Sequence, residues 1–107
     1  MTIQLKSTTA RPSTDVPWTN KGNNLPYWFL DNQYFLDTWY QKGRLFSATV
    51  TYSDDNLIIN AILEFSDWEA LDDFSSDITL ITECQAPRDL YYDAVGIKIL
   101  NMEAFEV

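Results

Sequence analysis

Hydrophobic and polar positions alternate most regularly between residues 44 and 65. Arg44-Leu-Phe-Ser-Ala-Thr-Val-Thr-Tyr52 is rich in β-branched and aromatic residues, Ser53-Asp-Asp55 interrupts it, and Asn56-Leu-Ile-Ile-Asn-Ala-Ile-Leu-Glu-Phe65 resumes the alternation. Two alternating runs about a short polar break predict an antiparallel hairpin. On the first strand Phe46, Ala48, Val50 and Tyr52 share a face, opposite Ser47, Thr49 and Thr51. On the second, Leu57, Ile59, Ala61, Leu63 and Phe65 make an apolar face. The reverse face carries Ile58, Asn60, Ile62 and Glu64 and is half apolar, so helices are expected against the first face and a partner against the second.

Around this hairpin the pattern predicts four further elements. Ile3 and Leu5 alternate within residues 2–6 as a short first strand. Residues 7–24 are rich in Ser, Thr, Pro, Asn and Gly and read as a long irregular loop with Trp18 as its anchor. Asn24-Leu-Pro26 opens a helix whose stripe comprises Trp28, Phe29, Phe35, Leu36, Trp39 and Tyr40, with Lys42-Gly43 as its stop. After the hairpin, Ser66 with Glu69 forms a capping box and Phe65 with Ala70 a hydrophobic staple. The helix they open turns Trp68, Leu71 and Phe74 inward and Asp72 and Asp73 to water, and Ser75-Ser-Asp77 pauses it or starts a second. Residues 78–95 admit two readings. Ile78-Thr-Leu-Ile-Thr82 has strand propensity, while Ile78, Ile81, Cys84, Arg88, Tyr91 and Val95 fit a helical face that Pro87 would kink or split. The helix is the reading adopted, ended by Gly96, and residues 98–107 close the chain as a strand of imperfect alternation.

The order strand, helix, strand, strand, helix, strand predicts an α+β fold of one domain, residues 1–107. Specifically, it predicts a ferredoxin-like βαββαβ unit whose four-stranded antiparallel sheet has its helices on one face. Covering the open sheet face most simply takes a symmetric copy, so a homodimer through Ile58, Asn60 and Ile62 is expected.

Several stretches are similar to the dimeric α+β barrel superfamily, which includes antibiotic-biosynthesis and heme-degrading monooxygenases. They are Leu63-Glu-Phe65, Ser66-Asp-Trp-Glu-Ala70, Phe74-Ser-Ser-Asp77, Arg-Asp-Leu-Tyr-Tyr at 88–92 and Glu103-Ala-Phe105. The resemblance covers residues 44–107 in pattern and the rest in element order only, and the loop at 7–24 departs from it. It implies a face-to-face dimer, with a pocket in each monomer between sheet and helices. It implies no single activity, because this fold hosts many chemistries. The heme-degrading members use an Asn, a Trp and a His. Aligned on Phe74-Ser-Ser-Asp77, this chain offers Asp73 and Glu83 where the Trp and His stand, and Gln4 but no Asn on the first strand. Heme degradation is not expected.

Composition narrows the function classes further. The chain of 107 residues is 46% hydrophobic and 15% aromatic, as a folded domain should be. Its net charge of -9, from 16 acidic and 7 scattered basic residues, argues against nucleic-acid and anionic-membrane partners. No stretch reaches membrane-spanning length, no leader pattern follows Met1, and the single Cys84 suits a reducing compartment, so a cytoplasmic location is expected.

With no His and only three Gly, the chain can build neither a His-based triad or metal site nor a glycine-rich phosphate loop. No metal and no cofactor are expected. Asp54, Asp55, Asp72, Asp73 and Asp77 read as solvated surface, and Cys84 as a buried apolar residue. What remains is an aromatic pocket with a few polar groups: Trp39, Tyr40, Asn60, Trp68, Arg88, Tyr91 and Tyr92. Binding of a small hydrophobic or aromatic ligand is the leading expectation. A cofactor-independent oxygenase acting on a phenol or quinol, with Arg88 holding the substrate anion and Asn60 donating a hydrogen bond, is the first alternative. A structural or interaction module without a ligand is the second.

Overall fold

A computed structural model describes residues 1–20 and 28–107. Four strands form one antiparallel sheet: β1 (Ile3–Ala10), β2 (Leu45–Tyr52), β3 (Ile58–Phe65) and β4 (Lys98–Glu106), in the order β2-β3-β1-β4. The helices are α1 (Gln33–Thr38), α2 (Trp68–Ser75), α3 (Ile78–Leu80) and α4 (Ala86–Val95), with a π-helical turn, Ile81–Gln85, joining the last two. The fold is thus α+β, compatible with the ferredoxin-like arrangement.

Register decides which side chains meet the helices. Ile3, Leu5, Ser7 and Thr9 lie opposite Phe65, Leu63, Ala61 and Ile59. These rows face the core, where Ile3, Leu45, Ile59, Leu63 and Phe65 pack with Phe35, Trp39, Ala70, Leu71, Phe74, Leu80, Cys84 and Tyr92. The first strand runs to Ala10, so residues 7–10 of the expected loop are strand instead. Ser7, Thr8 and Thr9 suit a pleated surface, and this strand lies between two others that satisfy its backbone. The remainder of the loop, as far as residue 20, is held by Arg11. Its backbone N–H donates to Leu57 O at 2.9 Å, and its guanidinium donates to Asn56 O and Val16 O at 2.9 and 3.0 Å. That guanidinium also stacks on the buried Trp18, 4.6 Å from the ring.

Two bulges shift the expected faces. One between Leu45 and Ser47 puts Leu45 opposite Phe65 in the core and leaves Phe46 44% exposed, so Phe46 does not share the face of Ala48 and Val50. The other, opposite Thr8 and Thr9, skips Leu100 and explains the imperfect alternation of the last strand.

The sheet face away from the helices carries Ile58, Asn60 and Ile62, yet its cross-strand rows are mainly polar. Glu64 accepts from Ser47 Oγ at 2.7 Å and from Gln4 Nε2 at 3.2 Å, and these two bonds, the serine's first, hold its carboxylate below the ordinary value. Thr8 donates to Asn60 Oδ1 at 2.9 Å, and Lys6 lies 5.0 Å over the Phe105 ring. The apolar content inferred from the second hairpin strand is therefore diluted by its neighbours, and this face can stay solvated.

Helix starts differ from expectation in instructive ways. The expected opening at Asn24-Leu-Pro26 lies outside the described residues. Helix α1 begins at Gln33, because Asn32 Oδ1 accepts from the Phe35 N–H at 2.8 Å, and Trp28 and Phe29 precede it. Helix α2 is capped by Asp67, whose Oδ1 accepts from the Ala70 N–H at 2.8 Å, and not by Ser66, whose N–H donates to Arg44 O. The Ser66–Glu69 capping box therefore does not form, and Trp68 is turned outward, 43% exposed.

Residues 78–95 are helical throughout and end at Gly96, with φ of 83°. A β-carbon there would meet nothing closer than Pro12 Cγ at 3.7 Å, so Gly96→Ala carries only the left-handed backbone penalty. We expect urea unfolding to show a loss of about 1 kcal/mol for that variant.

Candidate functional site

Between the core face of the sheet and the segment containing α3, the π turn and α4, packing is incomplete. Opposed positions on the sheet floor are small: Ser7 lies against Ala61 and Leu5 against Ala104. Consequently Leu5, on an interior strand, is only half-buried. A cavity of about 260 Å³ lies there. Its walls are Leu5 and Met102 from the sheet, Phe29, Phe74 and Ser75, and Leu80, Ile81, Gln85 and Arg88 from the helical roof. Arg88, Leu5 and Met102 also line a second void of about 30 Å³, with Tyr92 on its roof. That void has room for one water, whereas the larger cavity approaches the range of about 300–1,000 Å³ usual for small-molecule sites.

The roof owes its shape to Pro87. Proline has no N–H, and its ring collides with the carbonyl four residues earlier in an α-helix. Here the preceding turn widens instead, and the Ala86 N–H donates to Ile81 O, five residues back. The extra residue rotates the helical face. Leu80, Cys84 and Tyr92 are buried, Arg88, Tyr91 and Val95 are half-buried, and Ile78 is 71% exposed, contrary to the face expected for it.

Asp77 fixes where the roof begins. Its Oδ1 accepts from the Thr79 and Leu80 N–H groups at 3.0 and 3.3 Å, capping α3. Its Oδ2 accepts from Tyr34 Oη at 2.7 Å and Trp39 Nε1 at 2.8 Å, tying α3 to α1. Burial pushes this carboxyl's pKa up, but the four hydrogen bonds outweigh burial and hold it below the ordinary value. The same bond to Asp77 raises the Tyr34 phenol. Asp77 was expected at the solvated surface and is instead a structural anchor.

Arg88 is the charged group at the cavity. Its side chain is 13% exposed, and Nε and Nη2 both lie 3.1 Å from one oxygen, Oδ1 of Asp89, whose side chain is 51% exposed. The guanidinium is also 6.0 Å from the Tyr92 ring. Burial, partly countered by Arg88, pushes Tyr92 up to about 12, so it stays a neutral phenol.

Of the seven residues singled out as pocket candidates, Arg88 and Tyr92 line these voids. Trp39 is buried with its indole on Asp77. Tyr40 packs its ring 6.0 Å from Phe35 and bridges to Leu45. Tyr91 donates to Pro17 O at 2.7 Å and packs 5.8 Å from Trp28. Trp68 faces outward, and Asn60 lies on the opposite sheet face, bonded to Thr8, so Asn60 and Arg88 do not converge. Sequence reasoning missed Leu5, Phe29, Phe74, Leu80, Ile81, Gln85 and Met102 as lining groups. Pro87 was the signal available, since a proline inside a helical run announces a broken ladder above whatever the helix covers.

Among the described residues no three His, Cys, Asp or Glu side chains cluster so as to hold a metal ion, and no helix is long and apolar enough to cross a membrane. Comparison with family models, with curated proteins and with solved structures gives no match.

Proposed function

We propose that this chain is a small-molecule-binding protein. Its ligand has an apolar, aromatic-sized body and sits between the sheet and the roof formed by α3, the π turn and α4. The observation that carries this reading is the cavity of about 260 Å³ walled by Phe29, Phe74, Leu80 and Ile81. A recess of this size, lined mostly by apolar side chains with Ser75, Gln85 and Arg88 as its polar groups, offers an aromatic body surface to bury and a few groups to orient it. The strand order supports placing the site in a ferredoxin-like unit, whose pocket between sheet and helices is the place the resemblance implies.

Native mass spectrometry of gently purified protein tests the reading. We expect the wild type to carry one small-molecule adduct. Ile81→Trp, which projects an indole into the cavity, should fly at its bare mass while unfolding at a similar urea concentration. Bare protein in both cases, together with no uptake of an added neutral aromatic, overturns it. A face-to-face homodimer is the assembly that the resemblance adds. Its test is sedimentation at micromolar concentration, where a monomer mass discards it.

A further inference from the structure

Resting on the binding reading above, we infer that the cavity takes a small aromatic carboxylate, with Arg88 as its anion receptor and Asp89 as the internal competitor that sets its affinity. Three observations lead there.

The first is charge. In a chain of net charge -9, no acidic side chain lines either void, and the one ionised group at both is the Arg88 guanidinium. Removing a cation from water is costly unless an anion compensates. At 13% exposure, Arg88 is largely removed from water.

The second is the quality of the partner it has. Neighbouring residues on a helix project in different directions and do not face one another. Asp89 therefore reaches its neighbour with a single oxygen, which receives both Nε and Nη2 at 3.1 Å. A guanidinium has five N–H donors and is best matched by two parallel bonds to two acceptor oxygens. Among the described residues Asp89 is the only hydrogen-bond acceptor Arg88 has, and its 51% exposure leaves it well hydrated when released. A ligand carboxylate arriving through the cavity supplies two oxygens, and Asp89 turns back to water.

The third is the shape of the remainder. Phe29 and Phe74, 5.6 Å apart and tilted 37° to one another, offer the aromatic wall for a ring. The ligand is thus oriented with its ring toward these phenylalanines and its carboxylate toward α4.

Titration calorimetry with 2-naphthoate and its neutral isostere 2-naphthamide tests this. In the wild type the acid should bind about tenfold or more tighter than the amide, as expected for a desolvated charge-assisted pair. Arg88→Met should weaken the acid far more than the amide and so abolish that preference. Asp89→Asn, a half-exposed position whose change should leave folding intact, should strengthen naphthoate several-fold and leave naphthamide unaffected. Equal binding of acid and amide to the wild type, or a preference that survives in Arg88→Met, overturns the anion receptor while leaving the cavity reading in force. Unchanged or weaker naphthoate binding in Asp89→Asn overturns the competitor role. Binding of neither probe to any variant overturns both this inference and the reading beneath it.

Discussion

Asp77→Ala is expected to lower the stability of the fold by about 2–4 kcal/mol, read from urea or thermal unfolding. Four hydrogen bonds end on this one carboxylate: two from the backbone that starts α3, one from Tyr34 and one from Trp39. Losing the cap accounts for about 1 kcal/mol, and losing an acceptor for the buried indole for more, because that N–H is left without a partner. Partial exposure of the site screens the charge and keeps the total modest. Asp77→Asn separates the contributions. The amide oxygen can still cap α3, but its NH2 meets the Trp39 N–H donor to donor, so an intermediate loss is expected. The pH dependence has a definite sign. The folded carboxyl sits below its ordinary value of 3.8, so its contribution is fully present above that value and is lost as pH falls through the lower folded one. Asp77→Asn should therefore flatten part of the acid limb of the stability curve. An acid limb as steep as the wild type's would show that Asp77 is not the group responsible.

This network also shows what the sequence could reveal and what it could not. Alternation placed the hairpin to within two residues, β3 starting at Ile58 and not Asn56, because β3 is apolar on one face at every second position and the intervening turn is polar. The helical reading of residues 78–95 and its stop at Gly96 likewise follow from local chemistry. The departures arise where long-range partners decide. Asp67 caps α2 in place of Ser66, whose backbone N–H is taken by Arg44 O from a distant part of the chain. The open sheet face was judged from β3 alone, and its polarity comes from Ser47, Gln4, Thr8 and Lys6 on other strands. Most of the cavity's lining was illegible for the same reason. A void is a property of several elements that fail to touch, and no periodicity in one element reports it. Arg88 was visible only because a lone basic residue among aromatics is chemically conspicuous.

Phe74→Ala is expected to produce the largest loss of stability, about 3–5 kcal/mol, a sizeable share of the 5–15 kcal/mol usual for a domain. Phe74 is the ring on which the core converges. It lies 5.6 Å from Phe29, 6.1 Å from Phe35, 5.4 Å from Trp39 and 5.1 Å from Phe65, the last three edge-on. One residue of α2 therefore couples the sheet, through Phe65, to α1 and to the aromatic run before it. Truncation removes the ring's burial and four aromatic contacts together, and neighbours that also contact one another cannot collapse to fill the gap. Because Phe74 is also a wall of the cavity, the variant joins a new void to the existing one. A neutral aromatic of about the excised ring's size should then recover part of the lost stability, by mass action on the folded state, to a greater extent than it stabilises the wild type. Phe74→Leu, which keeps most of the volume, should lose less and be rescued less. Equal rescue of the alanine variant and the wild type would mean that the vacated space does not open into the site, and that Phe74 serves the core alone.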